Sequence, residues 1–177
     1  MKNKAVFLDS DGVVNLAIIR EGKIYAPTSV KELVIPDEVK PALDRLKKAG
    51  YLLLLASNKP DVARGLMTQE SVDEIMAKFR QELPLDDIFL CMSPYHESPC
   101  YKPNPWLLLE GAKKYDVDLK QSYMIGDRFR DVGAGKNAGC KTIWIDRHYE
   151  EPAPNPPADF TAYSLTEAVD WILTLQK

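Results

Sequence analysis

The sequence predicts an α/β protein built on a mostly parallel sheet with helices on both faces. Two patterns predict it. Short apolar runs alternate with amphipathic helical stretches along the chain, the signature of strand–helix–strand units. The runs are almost continuously hydrophobic, as strands covered on both sides are. Right-handed crossovers then place every strand-to-helix loop on one edge of the sheet.

The first apolar run, Ala5 to Leu8, reads as a short buried strand that ends at FLDSDGVVN, residues Phe7 to Asn15, where Gly12 releases the backbone into a loop. Leu16 to Ile35 holds Gly22 and Pro27 but no sustained period, and reads as a functional loop or small flap over 16–35. Asp37 opens a helix to Lys48, with Val39, Leu43 and Leu46 on one stripe and Gly50 as its stop. Tyr51 to Ala56 is the most hydrophobic run, a central strand ending in Ser57-Asn58-Lys59-Pro60. A helix from Gln69 to Glu82 follows, capped by Thr68, with Val72, Ile75, Met76 and Phe79 turned inward.

Asp87 to Cys91 is a third strand, and Met92 to Pro103 a loop rich in proline and serine. Asn104 caps a helix to Tyr115, with Pro105 at its first position. Ser122 to Ile125 and Lys141 to Ile145 are the fourth and fifth strands, joined by a short helix that stops at Gly139. The proline-rich stretch EEPAPNPPADF reads as an extended connector, and Ser164 with Glu167 as a capping box for a last helix to Leu175.

A chain of 177 residues fits one domain, 1–177, with no internal repeat. Its 45% hydrophobic and 28% charged residues are those of an ordinary globular protein. A net charge of −3 argues against a general nucleic-acid partner. No apolar run approaches the ~18 residues of a membrane span, and the run after the basic N-terminus is too short for a signal peptide. Three cysteines, an odd number without framework spacing, suit a reducing cytoplasm.

The shared sheet edge gathers four separated polar groups: Asp9 with Asp11, Ser57-Asn58, Lys102 and Asp127. Each has an ordinary structural reading. Asp-Gly pairs form turns, Ser57 could cap a helix, Lys102 could be a solvated surface lysine and Asp127 a turn former. Together they make an inventory for phosphoryl transfer: a nucleophile, an acid–base group, a hydroxyl and a cation for phosphate oxygens, and a further carboxylate for a metal.

FLDSDGVVN, LASN, the KP before a helix, and IGDRFRD resemble, in order, the four motifs of the haloacid dehalogenase (HAD) superfamily of phosphohydrolases, over about Lys4 to Asp146. The resemblance implies a three-layer Rossmann-like fold and a Mg²⁺-dependent phosphatase. In that family Asp9 would be the nucleophile forming an aspartyl-phosphate, and Asp11 the acid–base group. Ser57 and Lys102 would bind phosphate. Asp127, Asp9 and the Asp11 carbonyl would hold Mg²⁺, with Asp131 in support.

DSDGVVN, YAPTSVKELVIPDEV and NKPDVARG further resemble the D-glycero-D-manno-heptose 1,7-bisphosphate phosphatases, relatives of the histidinol-phosphate phosphatases. That group has no large cap domain. The resemblance adds Asn58 to the phosphate site, sets Arg128 against substrate and matches Arg64 to the arginine of the group's ARG motif, in a structural or a substrate-gripping role. It implies a small phosphorylated metabolite as partner; the chain is expected to be a monomer. Histidinol phosphate or another small metabolite is the alternative substrate, and a catalytically silent phosphometabolite-binding domain the non-enzyme alternative.

Two departures stand out. Tyr101 occupies the place of a family arginine that recognises substrate, and a phenol does not replace a guanidinium fork. The zinc-type loop of the group is degenerate over 92–103, with Ser93 and Ser98 where histidine and cysteine are expected. Cys91, His96 and Cys100 would leave zinc one ligand short of a structural site, so two cysteines without metal are favoured over bound Zn²⁺.

Overall fold

Alternate residues of the first strand, β1 (Lys4–Leu8), point to opposite faces, and both faces are apolar: Val6 and Leu8 on one, Ala5 and Phe7 on the other, all fully buried. Two cores form accordingly. The computed structural model describes residues 2–175. After β1, a small hairpin of β2 (Ile18–Arg20) and β3 (Lys23–Tyr25) leads into α1 (Val39–Lys48) and the central strand β4 (Tyr51–Asn58). Then come α2 (Gln69–Glu82), β5 (Asp87–Cys91), α3 (Trp106–Tyr115), a single 3₁₀ turn (Leu119–Gln121) and β6 (Tyr123–Gly126). The chain closes with α4 (Phe129–Ala138), β7 (Lys141–Ile145), β8 (Phe160–Ala162) and α5 (Leu165–Thr174).

Six strands form one parallel sheet in the order β5-β4-β1-β6-β7-β8. Val6, Leu8, Leu53, Leu55 and Ile125 pack against α1, α2 and α5. Phe7, Leu54, Ala56 and Met124 pack against α3 and α4. The result is the expected three-layer arrangement. Between β1 and α1 the regular structure is the hairpin alone, and among the described residues no large cap covers the sheet edge. No helix among the described residues is long and apolar enough to cross a membrane.

The sheet order reverses at β1, with β4 and β5 on one side and β6, β7 and β8 on the other. This is the switch point at which open α/β sheets place their ligand crevices. Register does the rest. Leu8 pairs with both Leu55 and Ile125, which sets Asp9, Ser57 and Asp127 at one rim.

Several boundaries differ from the sequence reading. The 16–35 segment, expected without regular structure, contains β2 and β3, whose turn Glu21-Gly22 has φ of +50° and +73° at its two central residues, the conformation that twisted hairpins prefer. α1 begins at Val39 rather than Asp37, because the Val39 amide closes a turn onto the Pro36 carbonyl. Pro105 caps α3 instead of entering it. β4 extends two residues past Ala56 and β6 runs one residue later than expected, while β8 falls inside what read as connector and loop. At α5, Ser164 Oγ accepts the Glu167 amide at 3.1 Å, while the Glu167 carboxylate accepts from Tyr163, one residue before the box position.

Candidate active site

Asp9 follows β1 directly and is buried, with its backbone N–H bonded to the Ile125 carbonyl at 3.0 Å. The chain then turns tightly, Ser10 O accepting from the amides of Val13, Val14 and Asn15. Gly12 has φ +88°, and a Cβ built on it would lie 1.9 Å from Asp127 Oδ2. Only glycine lets this turn approach that carboxylate. Asp11, at the turn's start, accepts from Asn15 Nδ2 at 3.0 Å and from Lys59 Nζ at 2.5 Å.

Lys102 enters from the loop before α3, and its buried ammonium donates three hydrogen bonds: to Asp9 Oδ1 at 2.7 Å, Asp131 Oδ1 at 2.7 Å and the Ala56 carbonyl at 2.8 Å. A surface lysine would be solvated; this one is a fixed charge between two carboxylates. Asp131 Oδ2 accepts the Arg128 amide at 3.0 Å, so both its oxygens are used. Ser57 lies under the same rim, its hydroxyl 2.7 Å from that of Ser10, and Asn58 Oδ1 accepts the Lys102 amide at 3.2 Å.

Asp127 is 2% exposed; the Tyr149 phenol stands beside it, and neither carboxylate oxygen makes a hydrogen bond of ordinary geometry among the described residues. A buried carboxylate so short of well-aligned donors is costly. Ligand oxygens of Asp9, Asp127 and Asp131 lie within 4.8 Å of one another. Burial pushes the Asp9 carboxyl up to about 6 against the pull of Lys102, with Asp131 and Asp11 adding repulsion. Asp127 rises well above the carboxylate range through burial, then through Asp131 and Asp9. Burial also raises the Tyr149 phenol beside it. Lys102 is pushed above the lysine range although burial opposes its charge, because Asp131 and Asp9 flank it. Hard oxygen donors, excess negative charge and a carboxylate short of donors suit a small divalent cation such as Mg²⁺.

These groups open into a cleft of about 330 Å³ lined by Asp9, Asp11, Lys102, Tyr101 and His96, with Arg64, Arg128 and Arg130 around it. Ile24, Tyr25 and Ala26 of the hairpin segment close one side. Arg128, the guanidinium expected to face substrate, lines the cleft but pairs through two nitrogens with Glu151. Arg64 lies 3.5 Å from Asp61.

The cysteine expectation is corrected. Cys91 and Cys100, expected as buried or free cysteines without metal and with a zinc set including His96 as the alternative, are joined in a disulfide with Cα atoms 5.4 Å apart. Neither sulfur is then a thiolate, the form that ligates metal. His96 instead meets the Tyr101 ring edge-on at 4.7 Å.

Sequence reasoning missed Lys59, 3% exposed, whose signal was its place directly after the end of β4. It also missed the loop after β7, which brings Tyr149 and Glu151 to the site.

Comparisons with known proteins bear on the fold and the family. The model of the HAD-hydrolase-like family matches residues 99–168. Two Helicobacter pylori proteins named D-glycero-beta-D-manno-heptose-1,7-bisphosphate 7-phosphatase are 34% and 31% identical, each covering 96% of this chain and matched over 98% and 97% of their own length. The crystal structure of a D,D-heptose 1,7-bisphosphate phosphatase from B. bronchiseptica, complexed with magnesium and phosphate, aligns with a TM-score of 0.80 at 27% identity, over 97% of this chain and 99% of that one. With the parallel sheet, the ordered motifs and full-length likeness in accord, the chain belongs to the heptose-1,7-bisphosphate 7-phosphatase family of HAD-like hydrolases.

Proposed function

We propose that the cleft hydrolyses the 7-phosphate of D-glycero-D-manno-heptose 1,7-bisphosphate. The observation that carries the phosphatase reading is the buried trio at the switch point. Asp9 is oriented through one oxygen by Lys102, and its Oδ2 has no hydrogen bond among the described residues, while Asp127 lies close by, beside the Tyr149 phenol but without a well-formed hydrogen bond among those residues. The names of the full-length relatives support the sugar.

Asp9 is the nucleophile: its carboxylate oxygen bonds to phosphorus as the ester P–O bond breaks. Asp11, exposed enough to meet the leaving group and held by Lys59 and Asn15, donates its proton to the departing sugar oxygen. It then takes a proton from the water that attacks phosphorus and opens the acyl phosphate, returning Asp9. Asn58 and Lys102 line the cleft beside Asp9 and would meet the phosphoryl oxygens, Lys102 as a fixed positive charge, with the Ser57 hydroxyl behind them against Ser10. A Mg²⁺ held by Asp127, Asp9 and the Asp11 carbonyl would supply the positive charge that lets an anionic carboxylate approach an anionic ester.

The test is kcat/KM for heptose 1,7-bisphosphate, histidinol phosphate and several sugar monophosphates, with Mg²⁺ present. The highest value is expected for the heptose bisphosphate. A higher value for histidinol phosphate would overturn the sugar assignment, and no turnover of any ester, p-nitrophenyl phosphate included, would make the chain a binding domain.

A further inference from the structure

The cations at the cleft can be sorted by what holds them. Lys102 lies between Asp9 and Asp131, and Lys59 is bound to Asp11. Arg64 faces Asp61 and Arg128 is clamped by Glu151. Arg130, one residue before Asp131 in the first turn of α4, also lines the cleft but has no carboxylate partner among the described residues. Its hydrogen bond runs from Nη1 to the Tyr101 hydroxyl at 3.1 Å.

That contact positions the guanidinium. Its central carbon lies 5.7 Å from the centroid of the Tyr101 ring and 5.5 Å from that of Phe129, so two aromatic faces flank it. Tyr101 is itself fixed: it is 3% exposed, packed edge-on by His96, and precedes Lys102 in the chain. A guanidinium carries five N–H donors in a planar fork, and one bond to a phenol leaves the pair suited to a phosphate free. An uncompensated, aromatic-braced arginine at the wall of an anion-binding cleft is arranged to receive an anion.

We propose that Arg130 binds a second anionic group of the substrate, the phosphate that is not hydrolysed, and that Tyr101 is its positioning residue. This assignment rests on the reading of the cleft as a phosphomonoesterase site. The ligand class is a small sugar with phosphates at two ends, one at Asp9 and the other on the Arg130 fork. Selectivity for a bisphosphate over a monophosphate then comes chiefly from one side chain that plays no part in the chemical step.

The experiment measures kcat/KM for heptose 1,7-bisphosphate, fructose 1,6-bisphosphate and glucose 6-phosphate in wild type, Arg130→Gln, Arg130→Lys and Tyr101→Phe. In Arg130→Gln the ratio of bisphosphate to monophosphate kcat/KM is expected to fall about tenfold or more, with the change in KM for the bisphosphate. Arg130→Lys restores part of the ratio, because the charge returns without the fork. Tyr101→Phe lowers it by less than Arg130→Gln, again through KM. Wild-type selectivity for heptose bisphosphate that survives in Arg130→Gln overturns this assignment and leaves the proposed substrate standing. Selectivity for bisphosphates in general, lost in Arg130→Gln, upholds the assignment while refuting the heptose. A wild type that gains nothing from a second phosphate overturns both.

Discussion

Asp9→Asn should make the metal-free protein more stable while abolishing turnover. The carboxyl of Asp9 is raised from 3.8 to about 6, chiefly by burial and against the attraction of Lys102. An acid that holds its proton longer when folded than unfolded loses stability as pH rises through that window, from about 4 to about 6, and stays at the lower level above it. At about 1.4 kcal/mol per unit, ionising Asp9 costs the folded, metal-free chain on the order of 3 kcal/mol at neutral pH. Asparagine removes that cost and can still accept from Lys102 through its amide oxygen, and Lys102 keeps Asp131 at 2.7 Å. Lys102 does lose one counter-charge, so the figure is a ceiling. With about 2–4 °C per kcal/mol for a chain of this size, the ceiling corresponds to a rise in Tm of roughly 6–12 °C. The assay is thermal unfolding in chelator at about pH 7.5 and about pH 4. The variant should melt several degrees higher than wild type at the first pH and equally at the second. A variant less stable than wild type at neutral pH, or a gap independent of pH, would refute the claim that the site holds its nucleophile at a cost to stability.

Gly12→Ala should remove the Mg²⁺-induced rise in Tm and with it the turnover, because the new methyl collides with Asp127 Oδ2; a variant with wild-type Mg²⁺ affinity would show that the turn can move. Lys59→Gln frees Asp11 from its ion pair and should lower kcat by about tenfold to a hundredfold with little change in KM, since general acid–base catalysis is worth ~10²–10⁴. Unchanged kcat would reduce Lys59 to a structural role. Lys102→Met leaves Asp9 and Asp131 buried without their cation and should destabilise the metal-free protein by about 3–5 kcal/mol at neutral pH, measured by denaturant unfolding. A loss under ~1 kcal/mol would mean that water or protonation relieves the pair easily.

The architecture and the placement of the site were legible in the sequence for a physical reason. Strands buried on both faces must be hydrophobic throughout, so Val6 to Leu8 and Leu53 to Ala56 stand out, and a parallel sheet puts whatever follows them on one rim. Asp9, Asp11, Ser57, Asn58, Lys102, Arg128 and Asp127 meet there as their order along the chain required. What escaped depends on partners distant in sequence or on very short elements. β8 is three residues long and follows a proline-rich stretch, so it carries no period to detect. The hairpin strands are equally short, and their side chains are mostly exposed. Cys91 and Cys100 pair because the loop between them returns to the end of β5, which spacing alone does not reveal. The pairing of Arg128 with Glu151 spans 23 positions, whereas Arg130 has no carboxylate partner among the described residues. Tyr101 looked like the loss of a guanidinium; in three dimensions it anchors one supplied by α4.

The central claim, that Asp9 attacks phosphorus and carries the phosphoryl group, is tested most directly by trapping the intermediate. Enzyme mixed with excess substrate and Mg²⁺ is quenched in acid within a single turnover, reduced with borohydride and digested for mass spectrometry. Reduction of an aspartyl-phosphate yields homoserine, which is expected at position 9 and nowhere else, and not at all in Asp9→Asn. Homoserine at position 11, or turnover by an enzyme that never accumulates an acyl phosphate even when water attack is slowed by Asp11→Asn, would contradict the account.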